Sequence, residues 1–229
     1  MSDDLSPTMR DYLAEIYRLS DRDSSAEGFV STSVLADLLD VSVPAVNRMV
    51  AKLRELRLLE HEPYQGIRLT EAGKREALKY LRRHRLAEAF LVNVMGFGWH
   101  EVHADADRIA SVLTQPLEER MAEMAGHPTR CPHGEPIPTD EGELPPLNDL
   151  LLTEAPEGQL LEITRVRTRE SDRLEYIAAL GLVPGTQIEI IHAAPFNGPL
   201  QLRLGKEYRI VGHNLAEMIR VRPLSAASA

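Results

Sequence analysis

Cysteine occurs once in the 229 residues, at Cys131, so no disulfide within the chain can staple the fold. Long apolar runs are also missing. None approaches the roughly 20 residues that a membrane-spanning helix requires. The opening MSDDLSPTMRDYL is acidic and has no apolar core of a secretory signal. A reducing cytoplasm is the expected setting. No internal repeat or low-complexity tract appears. There is no H-E-x-x-H, no strained nucleophile elbow and no phosphate-cradling glycine loop, so an enzyme is not expected. Positive charge is scarce, with a net charge of −9. That scarcity is uneven: Ser42 to Arg85 holds 11 Lys/Arg against 5 Asp/Glu, a local +6, which leaves −15 for the remainder. One basic segment in an acidic chain is compatible with binding DNA phosphates.

What is present falls into blocks. Met9, Tyr12, Leu13, Ile16 and Tyr17 recur at helical spacing and predict a helix over 7–20, followed by the polar break DRDSSAEG at 21–28. STSVLADLL (31–39) and the pattern Val46, Met49, Val50, Leu53, Leu56 predict two short helices joined at Asp40-Val41-Ser42. Pro44 suits the first turn of the second, where a missing N–H costs nothing. That helix carries Asn47, Arg48 and Lys52 on its polar face, as a helix-turn-helix does. LLEHEPYQGIRLT (58–70) reads as two strands around Tyr64–Gly66, a wing. A long helix over 71–95, a loop at 96–99, a helix over about 100–125 and a Pro/Gly-rich connector over 126–149 follow. From Leu150 on, LLEITRVRT, TQIEIIHA, PLQLRLG and KEYRIVG are strand-like, with ESDRLEYIAALGLVPG as a helix and turn between the first two. A small β-barrel-like domain of about 75 residues is expected.

The pattern that carries chemistry is on the long helix. Ala77, Leu81, His84, Glu88 and Leu91 form one stripe, so a histidine and a carboxylate four apart interrupt a core face. Arg82, Arg83 and Arg85 are expected on the other faces. An unpaired buried charge is costly, so the pair needs a partner. His103 and Asp107 repeat the spacing on the next helix, in line with Ala110. Two imidazoles and two carboxylates around a small volume suit a divalent first-row metal. Spacing alone leaves solvated ion pairs as an alternative. Cys131 and His133, two apart in the connector, can ligate one ion or form a chance loop pair. Asp11, read alone, is a helix-surface acid.

A winged helix, a helical pair with His84, Glu88 and His103, the stretch CPHGEPIP and a small β-domain, in this order, resemble the diphtheria-toxin-repressor and manganese-transport-regulator family in its long form. MRDYLAEIY, RRHRLAEAFL and LEYIAALGLVPGTQIEI also carry the resemblance, which spans about 7–223. The last stretch is similar to the small domain of ferrous-iron transport accessory proteins. The implied fold is mainly α with small β: a winged helix-turn-helix over 1–73, a helical dimerisation and metal-binding domain over 74–149, and a C-terminal SH3-like β-barrel over 150–229. The resemblance implies about two ions per subunit. His84, Glu88 and His103 would fill one site, completed by an acid from the last domain, Glu170 or its rival Asp172. Asp11 and Asp107 would serve the other, with Cys131 and His133 as further ligands. Two more ligands are common in the family one turn after Asp107, where this chain has Ala110 and Ser111. The second site must then recruit Cys131, His133, Asp105 or water. Oxygen ligands lean to Mn(II) over Fe(II), and Cys131 pulls the other way.

The expected function is a metal-dependent, DNA-binding transcriptional regulator of metal-uptake genes. It would act as a homodimer on a palindromic operator in double-stranded DNA. Ser42, Pro44, Ala45, Asn47 and Arg48 would face the groove, with Lys52 and Arg68 on phosphate. A metal-dependent hydrolase or a metal-trafficking module built on His84, Glu88 and His103 is the alternative.

Overall fold

The computed structural model describes residues 5–21 and 28–224. Most of the polar break expected at 21–28, and the first four residues of the chain, lie outside the described residues. The chain divides into two compact units. The first is residues 1–84 with 110–113 and 138–144; the second is 85–109, 114–137 and 145–229.

In the first unit, α1 (Pro7–Ser20) begins where Ser6 accepts a hydrogen bond from the Met9 amide, with Pro at the start of the helix. Its stripe buries Tyr12, Leu13, Ala14 and Ile16. Helix α2 (Thr32–Leu38) is capped by Ser31. The chain then turns through Asp40 at φ 51° into α3 (Val43–Glu55), whose Val46, Val50 and Leu53 are buried. Leu56, expected on that stripe, sits at the C-cap and is exposed. Strands β1 (Leu59–Glu62) and β2 (Gly66–Leu69) pair antiparallel with Leu59 opposite Leu69. Gly66 lies at φ 117°, and a Cβ there would meet the Val30 carbonyl oxygen at 2.4 Å, so the wing closes only over glycine. Leu13, Ile16, Leu35, Val46, Leu53 and Ile67 form the core of this winged helix.

Helix α4 spans Glu71–Asn93. All five residues of the expected stripe, Ala77, Leu81, His84, Glu88 and Leu91, are buried. The single helix expected over 100–125 is two helices, α5 (His103–Val112) and α6 (Gln115–Met124). Thr114 is extended and Pro116 occupies the first turn of α6. A proline there would lack the N–H and crowd the preceding turn of a continuous helix, so the break is its natural place.

The second unit also holds the β-rich part. A six-stranded antiparallel sheet runs in the order β3-β8-β4-β5-β6-β7. Its strands are β3 (Leu150–Leu151), β4 (Leu160–Val166), β5 (Gln187–Ala193), β6 (Leu200–Leu204), β7 (Glu207–Val211) and β8 (Ile219–Pro223). Helix α7 (Ser171–Ala179) follows β4, and the one-turn helix α8 (His213–Ala216) follows β7. Leu161, Ile163, Leu174, Ile177, Leu202 and Val221 form the core. The expected barrel is corrected on one point: β3 and β7 are edges, and among the described residues the sheet does not close on itself. The edge strand β3 is two residues long. The strand-like segments read from the sequence also left out β3 and β8.

Candidate metal centre and DNA-facing surface

Glu88 is the focus of the site. Its side chain is 2% exposed, and His103 Nδ1 lies 2.7 Å from one carboxylate oxygen. His133 Nδ1 lies 3.5 Å from the other. Three elements bring these groups together: α4 supplies Glu88, the start of α5 supplies His103, and the connector supplies His133 and Cys131. The rings of His103 and His133 stack at 4.3 Å between centroids, and Trp99 stacks on His133 at 5.4 Å. Cys131 Sγ is 3.8 Å from His133 Nδ1.

The tautomer of His133 follows from its partners. Nε2 lies 2.8 Å from the Trp99 carbonyl oxygen, which can only accept, so Nε2 carries the hydrogen. In the neutral ring, Nδ1 then presents a lone pair toward the Glu88 carboxylate and the Cys131 sulfur. A lone pair facing a carboxylate is unfavourable unless a positive charge lies between them. A proton can supply it. Burial pulls the His133 pKa down, but Glu88's charge and hydrogen bond, with the Trp99 carbonyl, more than reverse this and hold it above the usual histidine range. For His103, burial outweighs the help of Glu88 and the pKa falls, favouring the neutral imidazole. Burial, reinforced by Glu88, pushes the Cys131 thiol well up, so its proton stays in place.

His84, one turn before Glu88 on unbroken α4, is also buried. The donor atoms of His84, Glu88 and His103 lie within 4.8 Å of one another, as do those of Glu88, Cys131 and His133. The two triads share Glu88, and its two oxygens face different histidines. Buried nitrogen, oxygen and sulfur donors of this kind fit a divalent first-row ion. A ring nitrogen fixed by a hydrogen bond from the opposite side of the ring to a carbonyl is the usual support of a metal-binding histidine.

The remaining sequence candidates are placed elsewhere. Cys131 and His133 join Glu88, not Asp107. Asp107 instead accepts from the Arg169 guanidinium. Glu170 is the N-cap of α7 and pairs with Arg173 at 2.7 Å. Glu170, Asp172, Asp11 and Asp107 belong to neither donor triad among the described residues. Sequence reasoning missed Trp99, whose carbonyl orients His133, and Arg169. It also set Arg85 on an outer face, whereas Arg85 is buried, donating at 2.6 Å to the Pro136 carbonyl and pairing with Glu135 at 3.3 Å. A run of three arginines carries no local sign of which one turns inward.

On the winged helix, Ser42, Pro44, Asn47, Arg48 and Lys52 are exposed and Ala45 is half-buried. Asn47, Arg48 and Lys52 form a polar and cationic face away from the buried Val46, Val50 and Leu53. Arg68 on β2 pairs with Glu60 at 2.9 Å and lies over the Phe29 ring at 4.6 Å. No described helix is long and apolar enough to cross a membrane.

A winged helix followed by a helical segment with buried metal-type donors and a small antiparallel β-domain defines a class of metal-responsive DNA-binding proteins. Comparison with known proteins specifies it further. Residues 4–67 match the iron-dependent repressor N-terminal DNA-binding domain, 70–139 the iron-dependent repressor metal-binding and dimerisation domain, and 150–223 the FeoA domain. The iron-dependent repressor IdeR of Mycobacterium tuberculosis is 30% identical over 231 residues, covering 95% of this chain and 98% of the relative. The diphtheria toxin repressor of Corynebacterium efficiens is 30% identical over 200 residues, covering 82% and 85%. A solved manganese-dependent transcriptional repressor in complex with manganese superposes with a TM-score of 0.86 at 30% identity, over 94% of this chain and 99% of that one. The chain belongs to the diphtheria-toxin-repressor family of metal-dependent, DNA-binding transcriptional repressors.

Proposed function

We propose that the chain represses transcription as a homodimer on a palindromic operator, with Mn(II) favoured over Fe(II) as the co-repressor, and that it regulates metal-uptake genes. The observation that carries this reading is the His133 Nδ1 lone pair held against a buried carboxylate, with a second imidazole on the opposite oxygen. Such an arrangement is built for a cation. His84, Glu88 and His103 would hold one ion and Glu88, Cys131 and His133 a second, about two per subunit. A bound ion supplies the positive charge that couples the ligands. Glu88 offers one oxygen to each triad, Trp99 fixes the His133 tautomer, and burial excludes competing water. The nitrogen and oxygen donors suit Mn(II), while a thiol that keeps its proton adds little for that ion. A softer ion able to displace the proton would gain Cys131 as a ligand. Glu170 or Asp172 would add an acid only by leaving their present places, and Asp11 would act beside the DNA-binding helices.

The domain division is 1–73 for DNA, 74–149 for dimerisation and metal, and 150–229 for the β-domain. On DNA, Ser42, Pro44, Ala45, Asn47 and Arg48 meet base edges in the major groove, and Lys52 and Arg68 meet phosphate. Two recognition helices must stand about 34 Å apart to enter successive major grooves, and metal selects that spacing. Linkage then requires the operator to tighten metal binding by the same factor, roughly 5–150-fold for typical couplings.

The test is operator binding by chelated protein titrated with Mn(II) and, anaerobically, with Fe(II), at fixed salt, for wild type, Glu88→Gln and Arg48→Ala. Wild-type affinity is expected to rise at least severalfold with Mn(II), and Glu88→Gln to lose the rise. Arg48→Ala should weaken operator binding more than binding to unrelated DNA. Metal-indifferent operator binding by wild type would end the co-repressor reading, and metal-dependent turnover of a hydrolysable substrate would favour the enzyme alternative.

A further inference from the structure

The family resemblance leads to an expectation of a second ion at Asp107. The structure offers that ion poor terms. Asp107 already accepts from the Arg169 guanidinium. One turn on, Ala110 is wholly buried and has no donor, and Ser111 offers a hydroxyl at most. A divalent cation needs several anionic or imidazole donors, and a guanidinium already on the Asp107 carboxylate repels it.

We propose that Arg169 is a built-in cation that takes the place of a metal ion at Asp107 and fastens α5 to the segment between β4 and α7 without metal. Three observations in the second unit support this. The segment is held by its backbone, with the Arg167 amide donating to the Met218 carbonyl at 2.7 Å. The neighbouring Glu170 amide donates to Thr168 Oγ1 at 3.2 Å, and Thr168 is buried. Arg169 is therefore presented from a segment whose backbone is held on both sides of it. Its neighbour Glu170 turns to Arg173, so the two adjacent charges serve different partners. His103 and Asp107 are one helical turn apart on α5, and the Arg169 charge reaches His103 as well. A fastening at Asp107 thus sets the placement of the turn that carries a proposed metal ligand. Arginine suits this duty because its planar fork keeps its charge at any physiological pH, which a metal-dependent bridge does not. The number of ions bound rests on the metal reading of the Glu88 pocket; the fastening does not.

The experiment uses full-length protein and has two readouts. The first is hydrogen exchange of α5 amides in chelator, for wild type, Asp107→Asn, Arg169→Met and the charge-swapped pair Asp107→Arg with Arg169→Asp. Each single variant is expected to speed α5 exchange about two- to five-fold, the scale of a partly exposed ion pair. The swapped pair should return it toward wild type. The second readout is the Mn(II) count per subunit by equilibrium dialysis. Asp107→Asn is expected to match wild type, whereas Glu88→Gln falls below both. If Asp107→Asn loses an ion that wild type binds, Asp107 is a ligand and the proposal is wrong. Unchanged α5 exchange in both single variants also overturns it. If Glu88→Gln keeps the wild-type count, or wild type binds no Mn(II), the metal reading of the pocket fails, while the exchange readout still decides the fastening.

Discussion

Two glutamates in the second unit, the buried Glu88 and the half-buried Glu135, have opposite surroundings. Glu135 meets arginines: Arg85 at 3.3 Å, Arg165 at 3.2 Å and Arg167 at 3.6 Å. Burial alone would raise its pKa, but the three guanidinium charges outweigh it and hold the carboxyl below its ordinary value. Arg165 also clasps Asp149 at 2.6 Å, tying β4 to the chain before β3. Glu88 meets imidazoles and a thiol, groups that are neutral or carry one removable proton. A carboxylate ringed by permanent cations is a structural knot, since its charge is balanced at every physiological pH. One ringed by titratable donors is balanced only by a proton or a bound cation, and so answers to solution conditions.

The contrast can be broken most forcefully at Arg165. Arg165→Met takes from Asp149 its paired guanidinium and from Glu135 one of three, at a buried position, and is expected to cost about 3–5 kcal/mol by urea unfolding, the same with and without Mn(II). Glu88→Gln should instead leave the chelated protein within about 1 kcal/mol of wild type. What it should lose is stabilisation by metal, about 2.7 kcal/mol at a hundredfold excess over Kd. A Mn(II)-dependent loss at Arg165, or a metal-independent collapse at Glu88, would erase the distinction.

A pH titration separates the two sites more gently. His133 is raised, so its proton competes with metal, and Mn(II) affinity should climb as pH rises from about 6.5 through the His133 pKa. Glu135 is depressed, so its contribution to stability is present above the ordinary carboxyl value of 4.5 and is lost as pH falls below that toward the folded value. Metal response should therefore disappear well before the fold does, as read by melting at each pH with and without Mn(II). The smallest effect is expected at the exposed Arg222–Glu162 pair, 3.0 Å apart between β8 and β4. Glu162→Gln should cost roughly 0–1 kcal/mol and vanish in high salt.

Legibility in the sequence followed the range of the interaction. The stripe Ala77, Leu81, His84, Glu88, Leu91 was readable because helical spacing alone puts those side chains on one face. The winged helix was readable for the same reason, with Ser42, Pro44 and Gly66 as punctuation. Pro116 was a signal of the α5–α6 break that the apolar pattern across 100–125 masked. Strand β3 is two residues long, and the sheet neighbours of the missed strands, β8 for β3 and β4 for β8, are distant in sequence. The site was half legible. Nothing in C-x-H says which carboxylate the loop will meet, and His133 finds Glu88 45 positions away. Asp107 and Arg169 are 62 apart, and no local pattern announces such a meeting.

Gly134 gives the CPHG loop a further meaning. It lies at φ 83°, and a Cβ there would come within 2.0 Å of the Thr164 carbonyl oxygen on β4. The Val166 amide of the same strand donates to the His133 carbonyl at 2.9 Å. The loop that carries the thiol and the imidazole is thus moulded on the first long strand of the β-domain. A chain ending at residue 149 would keep every donor of the two triads and lose the surface that shapes two of them. The β-domain is in this sense the template of the proposed ligand loop, and even one methyl group on Gly134 is expected to change metal selectivity.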